Sequence, residues 1–130
     1  MGISIYARWR GQTAAEETAQ LNAFYDLSTQ DGDIGYLHEM QDGELYATHV
    51  LVPEAIHAED ADGVSIPVAT LRERLPEALR VAREQQRLVY NEPADSKKTE
   101  AVLQSLRDFV ALCERKEQET GEPCSILAVY

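Results

Sequence analysis

Two histidines and a tyrosine lie in adjacent strand-like runs of the sequence. Tyr36 and His38 belong to the first run, and His49 belongs to the second. The Asp42-Gly43 pair between the runs is a strong signal for a β-hairpin turn. With a two-residue turn, the three side chains share one face of the hairpin, and the two histidines are diagonal neighbours roughly 7–8 Å apart at the backbone.

Imidazole and phenol groups on an otherwise apolar face suit acid–base chemistry or ligand binding near neutral pH. The alternative is a structural role, because a histidine on a half-buried sheet face is usually a hydrogen-bonded part of the fold. A bulged or three-residue turn would place His38 and His49 on opposite faces. A metal site would need a third ligand, which the spacing does not supply. Tyr36, His38 and His49 are therefore candidate ligand-binding residues, and we expect no metal and no cofactor.

An acidic loop and two cysteines are the remaining groups that could do chemistry. The loop offers oxygen ligands at Glu59, Asp60 and Asp62, but their spacing differs from that of a calcium-binding loop. Cys113 and Cys124 show no metal-binding spacing and no neighbouring base. The loop is typical of a solvated surface, and the cysteines are typical of free thiols in a reducing compartment.

Tyr6, Arg8 and Arg10 alternate with apolar residues in the first strand-like run. If helices cover only the apolar face, these three side chains stand on an open sheet surface. Tyrosine and arginine are enriched at protein–protein binding hot spots, so the three residues are a candidate interaction surface. The same pattern is also produced by any sheet that is covered on one side.

The chain carries a net charge of −11, from 12 Lys and Arg residues against 23 Asp and Glu residues. This charge repels nucleic acids and anionic lipids and favours basic partners. No apolar run reaches the roughly 20 residues that a membrane helix needs. Arg8 and Arg10 stand where a signal peptide would have its apolar core, so we expect a cytoplasmic protein.

These features favour a small acidic binding or interaction protein, such as an adaptor, an inhibitor or an immunity-type protein, with a basic protein partner. No motif indicates a nucleic acid or a membrane as the partner. The alternative is a small enzyme or ligand binder that uses the face of Tyr36, His38 and His49. A homodimer formed through an exposed strand edge is a third possibility.

The first half of the chain predicts one helix and three strands. Ile3–Trp9 alternates between apolar and polar residues as a half-buried strand does. Thr13, with Glu16 three residues later, predicts a helix that begins with a capping box. The predicted hairpin strands are Tyr36–Met40 and Leu45–Val52.

The second half predicts helices and a final strand. Pro76 removes a backbone donor, so we expect a short helix ending near Arg74 and a second one from Pro76 to about Tyr90. The apolar stripe of the second helix contains Leu79, Ala82, Gln86 and Val89. A long helix begins at Asp95 or Ser96, and the run 124–130 is apolar on both faces, as in a central strand.

The sequence as a whole predicts a single α+β domain over residues 1–130. About four strands form a mixed sheet in the order β-α-β-β-α-α-β, and the helices pack mainly on one face.

Overall fold

The computed structural model describes residues 2–26, 31–40, 46–58 and 62–129. In chain order its elements are β1 Gly2–Arg8, α1 Ala14–Tyr25, a 3-10 helix Gly32–Ile34, β2 Tyr36–Met40, α2 Ala47–Leu51, α3 Pro53–Ile56, β3 Val64–Ser65, α4 Val68–Leu88, α5 Lys97–Thr120 and β4 Ser125–Val129. The four-stranded sheet and the surrounding helices confirm the predicted α+β fold.

The strands form one sheet in the order β2-β1-β4-β3. As predicted, the last strand lies inside the sheet, where it pairs with β1. The predicted mixed sheet is wrong in this respect, because every pairing of the described strands is antiparallel. Tyr36 begins β2 opposite Tyr6, near the end of β1, so the connection through α1 returns the chain to the same end of the sheet.

The prediction of a second hairpin strand at Leu45–Val52 is wrong. Residues 47–51 form the short helix α2, and β2 pairs with β1 instead. The carboxylate of Glu39 accepts hydrogen bonds from the backbone N–H groups of Ala47 and Thr48, and this long-range cap allows a helix to begin there. The third strand is Val64–Ser65, and the Asp42-Gly43 turn lies outside the described residues.

The predicted helix break at Pro76 is also wrong, because α4 is continuous from Val68 to Leu88. A proline inside a helix costs about 3 kcal/mol or more. Burial on both sides of Pro76 offsets this cost, since Leu71 before it and Ala78 after it are fully buried. Packing on α2 and α5 therefore holds the two halves in one helix.

Local capping signals are confirmed at the other long helices. Thr13 and Glu16 form the predicted capping box of α1. The Ser96 side chain accepts a hydrogen bond from the backbone N–H of Thr99 and caps α5. Gly121 ends α5 in the left-handed conformation, which glycine adopts without strain.

The sheet has a core on each face, and the larger core lies against helices α2 to α5. Ile3, Ile5 and Phe109 are fully buried in that larger core. On the opposite face, Ala23 of α1 packs with Tyr6 and Tyr36. None of the helices in the described ranges is both long enough and apolar enough to cross a lipid bilayer.

Candidate functional site

Tyr36 and His38 are neighbours on one face of β2. Their rings stack with centroids 6.5 Å apart, and Tyr36 is fully buried. The Ser4 hydroxyl lies 3.1 Å from the Tyr36 hydroxyl and 3.2 Å from His38 Nδ1. Burial lowers the pKa of His38 below its ordinary value, so the ring is neutral at neutral pH. This pair is integrated into the hydrogen bonding of the sheet.

His49 does not join Tyr36 and His38, because α2 replaces the expected strand. Its ring lies 4.7 Å from the ring of Tyr46 and 6.4 Å from the ring of His57. Burial and the neighbouring His57 lower the pKa of His49. Within the described ranges, no group of three or more His, Cys, Asp or Glu residues could hold a metal ion. Glu59 and Asp60 of the acidic loop lie outside these ranges.

The candidate interaction surface on β1 is largely occupied by contacts within the chain. Tyr6 is buried beneath α1, so the sheet face is not open at this position. Arg8 lies 3.4 Å from the carboxylate of Glu17, and Arg10 donates to the carboxylate of Glu122 at 2.8 Å. These ion pairs are partly or fully exposed, and such pairs contribute little to stability.

The two cysteines are buried free thiols. Cys124 Sγ lies 3.9 Å from the backbone carbonyl oxygen of Cys113, at the junction between β4 and α5. A hydrogen bond with the Cys124 thiol, together with burial, raises the pKa of Cys113 well above its ordinary value. Cys113 is therefore a protonated packing residue at neutral pH.

A cavity of about 180 Å³ lies at the edge of the sheet, where β2, α2, α4 and α5 meet. Much of its wall is apolar and includes Leu37, Ala82 and Leu106. Among the described residues, eight polar or charged side chains are buried, and five of them line this cavity. These five are Glu39, Thr48, Gln85, Gln86 and Ser105. Convergence of a few polar groups on an apolar cavity is typical of small-ligand sites.

Glu39 is held by the fold itself. Its Oε2 accepts from Ala47 N at 2.7 Å, and its Oε1 accepts from Thr48 N at 3.2 Å and from Thr48 Oγ1 at 2.6 Å. The Gln85 side chain also hydrogen-bonds to this carboxylate. Burial raises the pKa of Glu39, and these hydrogen bonds offset part of the rise. Because a carboxylate has about four acceptor sites, Glu39 has little capacity left for a ligand.

Gln86 differs from the other buried polar residues of the cavity. The residue as a whole is 6 % exposed, and its side-chain amide, whose atoms are accessible to solvent, makes no hydrogen bond with a described residue. Only its backbone carbonyl is used, as the acceptor for Glu92 N at 2.8 Å. By contrast, the Ser105 hydroxyl accepts from Gly32 N at 3.0 Å. The cavity therefore presents one amide group whose hydrogen-bonding capacity the fold does not use.

Lys98, in the first turn of α5, also lines the cavity. Eight of the twelve basic side chains of the chain make ion pairs with described residues. Lys98 makes none with any residue in the described ranges. An exposed, unpaired ammonium group thus stands at the opening of an apolar cavity.

Glu39 and Lys98 are not among the site residues predicted from the sequence, and no chemistry is predicted for Gln86. It does place Gln86 on the apolar stripe of its helix, and the burial of this residue confirms that position. A glutamine at a core position was the available signal, since such residues are mostly exposed. The roles of Glu39 and Lys98 depend on contacts between distant segments and leave no local pattern.

No protein-family model, curated protein or solved structure matches this chain. The function of the protein is therefore inferred from the geometry of the cavity and from the surface of the molecule.

Proposed function

We propose that this protein binds a small molecule in the cavity between β2, α2, α4 and α5. The observation that carries the proposal is the convergence of five buried polar residues on one largely apolar cavity, where the Gln86 amide makes no hydrogen bond with a described residue. The amide atoms of Gln86 are accessible to solvent. A ligand could hydrogen-bond to this amide in place of water, and its apolar part would contact the surrounding wall.

The size of the cavity limits the ligand. A cavity of about 180 Å³ is close to the roughly 150 Å³ that holds benzene in an engineered protein interior. The buried part of the ligand is thus of the size of a single ring or a short aliphatic chain. Binding rather than catalysis is proposed because the Ser105 hydroxyl and the Glu39 carboxylate are both engaged by the fold.

A cavity-filling variant tests this proposal. Val102 of α5 is half-buried and lines the cavity, so Val102→Phe should block it. Val68→Phe is the matched control, because Val68 is also half-buried against the same core but does not line the cavity. Single-ring compounds at millimolar concentration should shift the amide NMR signals of cavity residues in the wild type and in Val68→Phe. The proposal fails if no such compound binds, or if binding survives Val102→Phe.

The second candidate function is recognition of a basic protein partner by this acidic chain. Its support is the net charge of −11 together with an exposed aromatic pair at the end of α1. Phe24 and Tyr25 are 39 % and 76 % exposed, and their rings lie 5.3 Å apart in an edge-to-face arrangement. Exposed aromatic side chains on an acidic protein suit contact with a basic partner. The free thiols of this chain are consistent with a location in the cytoplasm.

The test of this second function is a salt-dependent affinity capture with a matched variant. A specific basic partner should be retained at low salt and lost at high salt. Phe24→Ser/Tyr25→Ser should lose the partner, whereas Leu88→Ser, which changes a side chain 60 % exposed on α4, should keep it. Retention by both variants would exclude the aromatic pair as the contact surface. The molar mass in solution, measured in parallel, distinguishes a monomer from a homodimer.

A further inference from the structure

We infer that the ligand of the cavity is a small carboxylate: an apolar body that enters the cavity, with an anionic group that pairs with Lys98. This inference rests on the proposed small-molecule site and adds the charge of the ligand. The groups that line the cavity differ in whether the fold already uses them.

A cationic ligand is disfavoured because its natural partner is already engaged. Glu39 is the buried carboxylate of the cavity, and backbone and side-chain donors from Ala47, Thr48 and Gln85 occupy it. An ammonium group that approached Glu39 would have to replace these hydrogen bonds, which start helix α2. The cost of breaking the cap would cancel the gain from the new ion pair.

The groups that remain available favour an anion. Lys98 supplies a positive charge with no ion pair among the described residues, and Gln86 supplies a solvent-accessible amide that makes no hydrogen bond with a described residue. His38, which also borders the cavity, is held neutral by burial and contacts Ser4 and Met40 through its two ring nitrogens. A carboxylate can accept hydrogen bonds from both an ammonium group and an amide N–H group.

The position of these two groups also indicates the orientation of the ligand. Gln86 is buried on α4, whereas Lys98 is exposed at the beginning of α5. The charged group can therefore remain near solvent, where an ion is not fully desolvated, while the body contacts Leu37, Ala82 and Leu106. The inferred class is that of small aromatic or short-chain aliphatic carboxylates.

Three planar probes of the same shape test the charge preference: benzoate, benzamide and benzamidine. Their dissociation constants are measured by NMR titration of the full chain. We expect benzoate to bind about 1.4-fold to fivefold more tightly than benzamide, the range for an exposed ion pair. Benzamidine should bind more weakly than benzamide.

Variants of two neighbouring lysines assign the preference to one residue. Lys98→Gln should remove the advantage of benzoate over benzamide. Lys97→Gln is the control, because Lys97 is exposed in the same helical turn but does not line the cavity. Equal binding of benzoate and benzamide, an equal effect of the two lysine variants, or preference for benzamidine would overturn the inference while the cavity remained a binding site. Absence of binding by all three probes would overturn the inference and the proposed function together.

Discussion

Replacement of Gln86 by leucine is expected to change the stability of the protein little. The wild-type amide makes no hydrogen bond with a described residue, and its atoms are accessible to solvent. Leucine fills a similar volume, and the replacement removes no structural hydrogen bond. We therefore expect a change of less than about 1 kcal/mol in the free energy of unfolding, or less than about 3–5 °C in the melting temperature.

The matched control is Gln20→Leu, because the fold uses the Nε2 of this buried glutamine, although its Oε1 is buried without a partner. Its Nε2 donates to the carbonyl oxygens of Ala7 and Ile34 at 2.9 Å and of Gly35 at 3.2 Å. Leucine would leave these carbonyl groups without their donor, at a cost of about 2–4 kcal/mol. A clear loss of stability is thus expected only in Gln20→Leu.

Urea denaturation followed by circular dichroism measures both variants, with equal m-values as the condition for comparing midpoints. Loss of stability in Gln86→Leu comparable to that in Gln20→Leu would refute the reasoning, since the Gln86 amide would then have a structural partner. A Gln86→Leu variant of unchanged stability that binds benzoate less well would show that this residue serves binding rather than the fold.

Two further predictions concern buried ionisable groups. Glu39→Ala should lower the free energy of unfolding by about 2–4 kcal/mol, because three donors at the start of α2 lose their acceptor. The control is Glu122→Ala, which removes an exposed carboxylate and should change the free energy of unfolding by less than about 1 kcal/mol. Chemical denaturation of both variants measures the difference. Burial lowers the pKa values of His38 and His49 in the folded state. Below about pH 6.5 the unfolded chain therefore binds more protons at these two residues than the folded chain does. The free energy of unfolding should fall as the pH drops through this range. Denaturation at several pH values should show a smaller fall for His38→Asn/His49→Asn, and an unchanged slope would contradict the assignment.

The elements that the sequence predicts correctly are those specified by neighbouring residues. Alternation identifies β1, the Thr13 and Glu16 capping box identifies the start of α1, and Ser96 identifies the start of α5. Each signal acts within a few residues, so no knowledge of the tertiary structure is needed.

The errors occur where a tertiary contact outweighs a local preference. Residues 45–52 resemble a strand in composition, but capping by Glu39 and burial of Leu51 favour helix α2. Pro76 predicts a helix boundary, but packing on both sides keeps α4 continuous. These contacts join segments that are distant in sequence, and periodicity alone does not show them.

The candidate site follows the same division between local and tertiary information. Burial of Gln86 is predictable from its place on the apolar stripe of α4, but the lack of a partner for its amide is a property of the assembled cavity. Glu39 is a polar residue of the same cavity, and its hydrogen bonds are satisfied by α2. Glu39 is a structural residue because the fold uses its hydrogen-bonding capacity, whereas Gln86 is a candidate binding residue because its amide makes no hydrogen bond with a described residue. Because Gln86 lies on α4 and Lys98 on α5, a ligand that contacts both would link the two longest helices of the described fold.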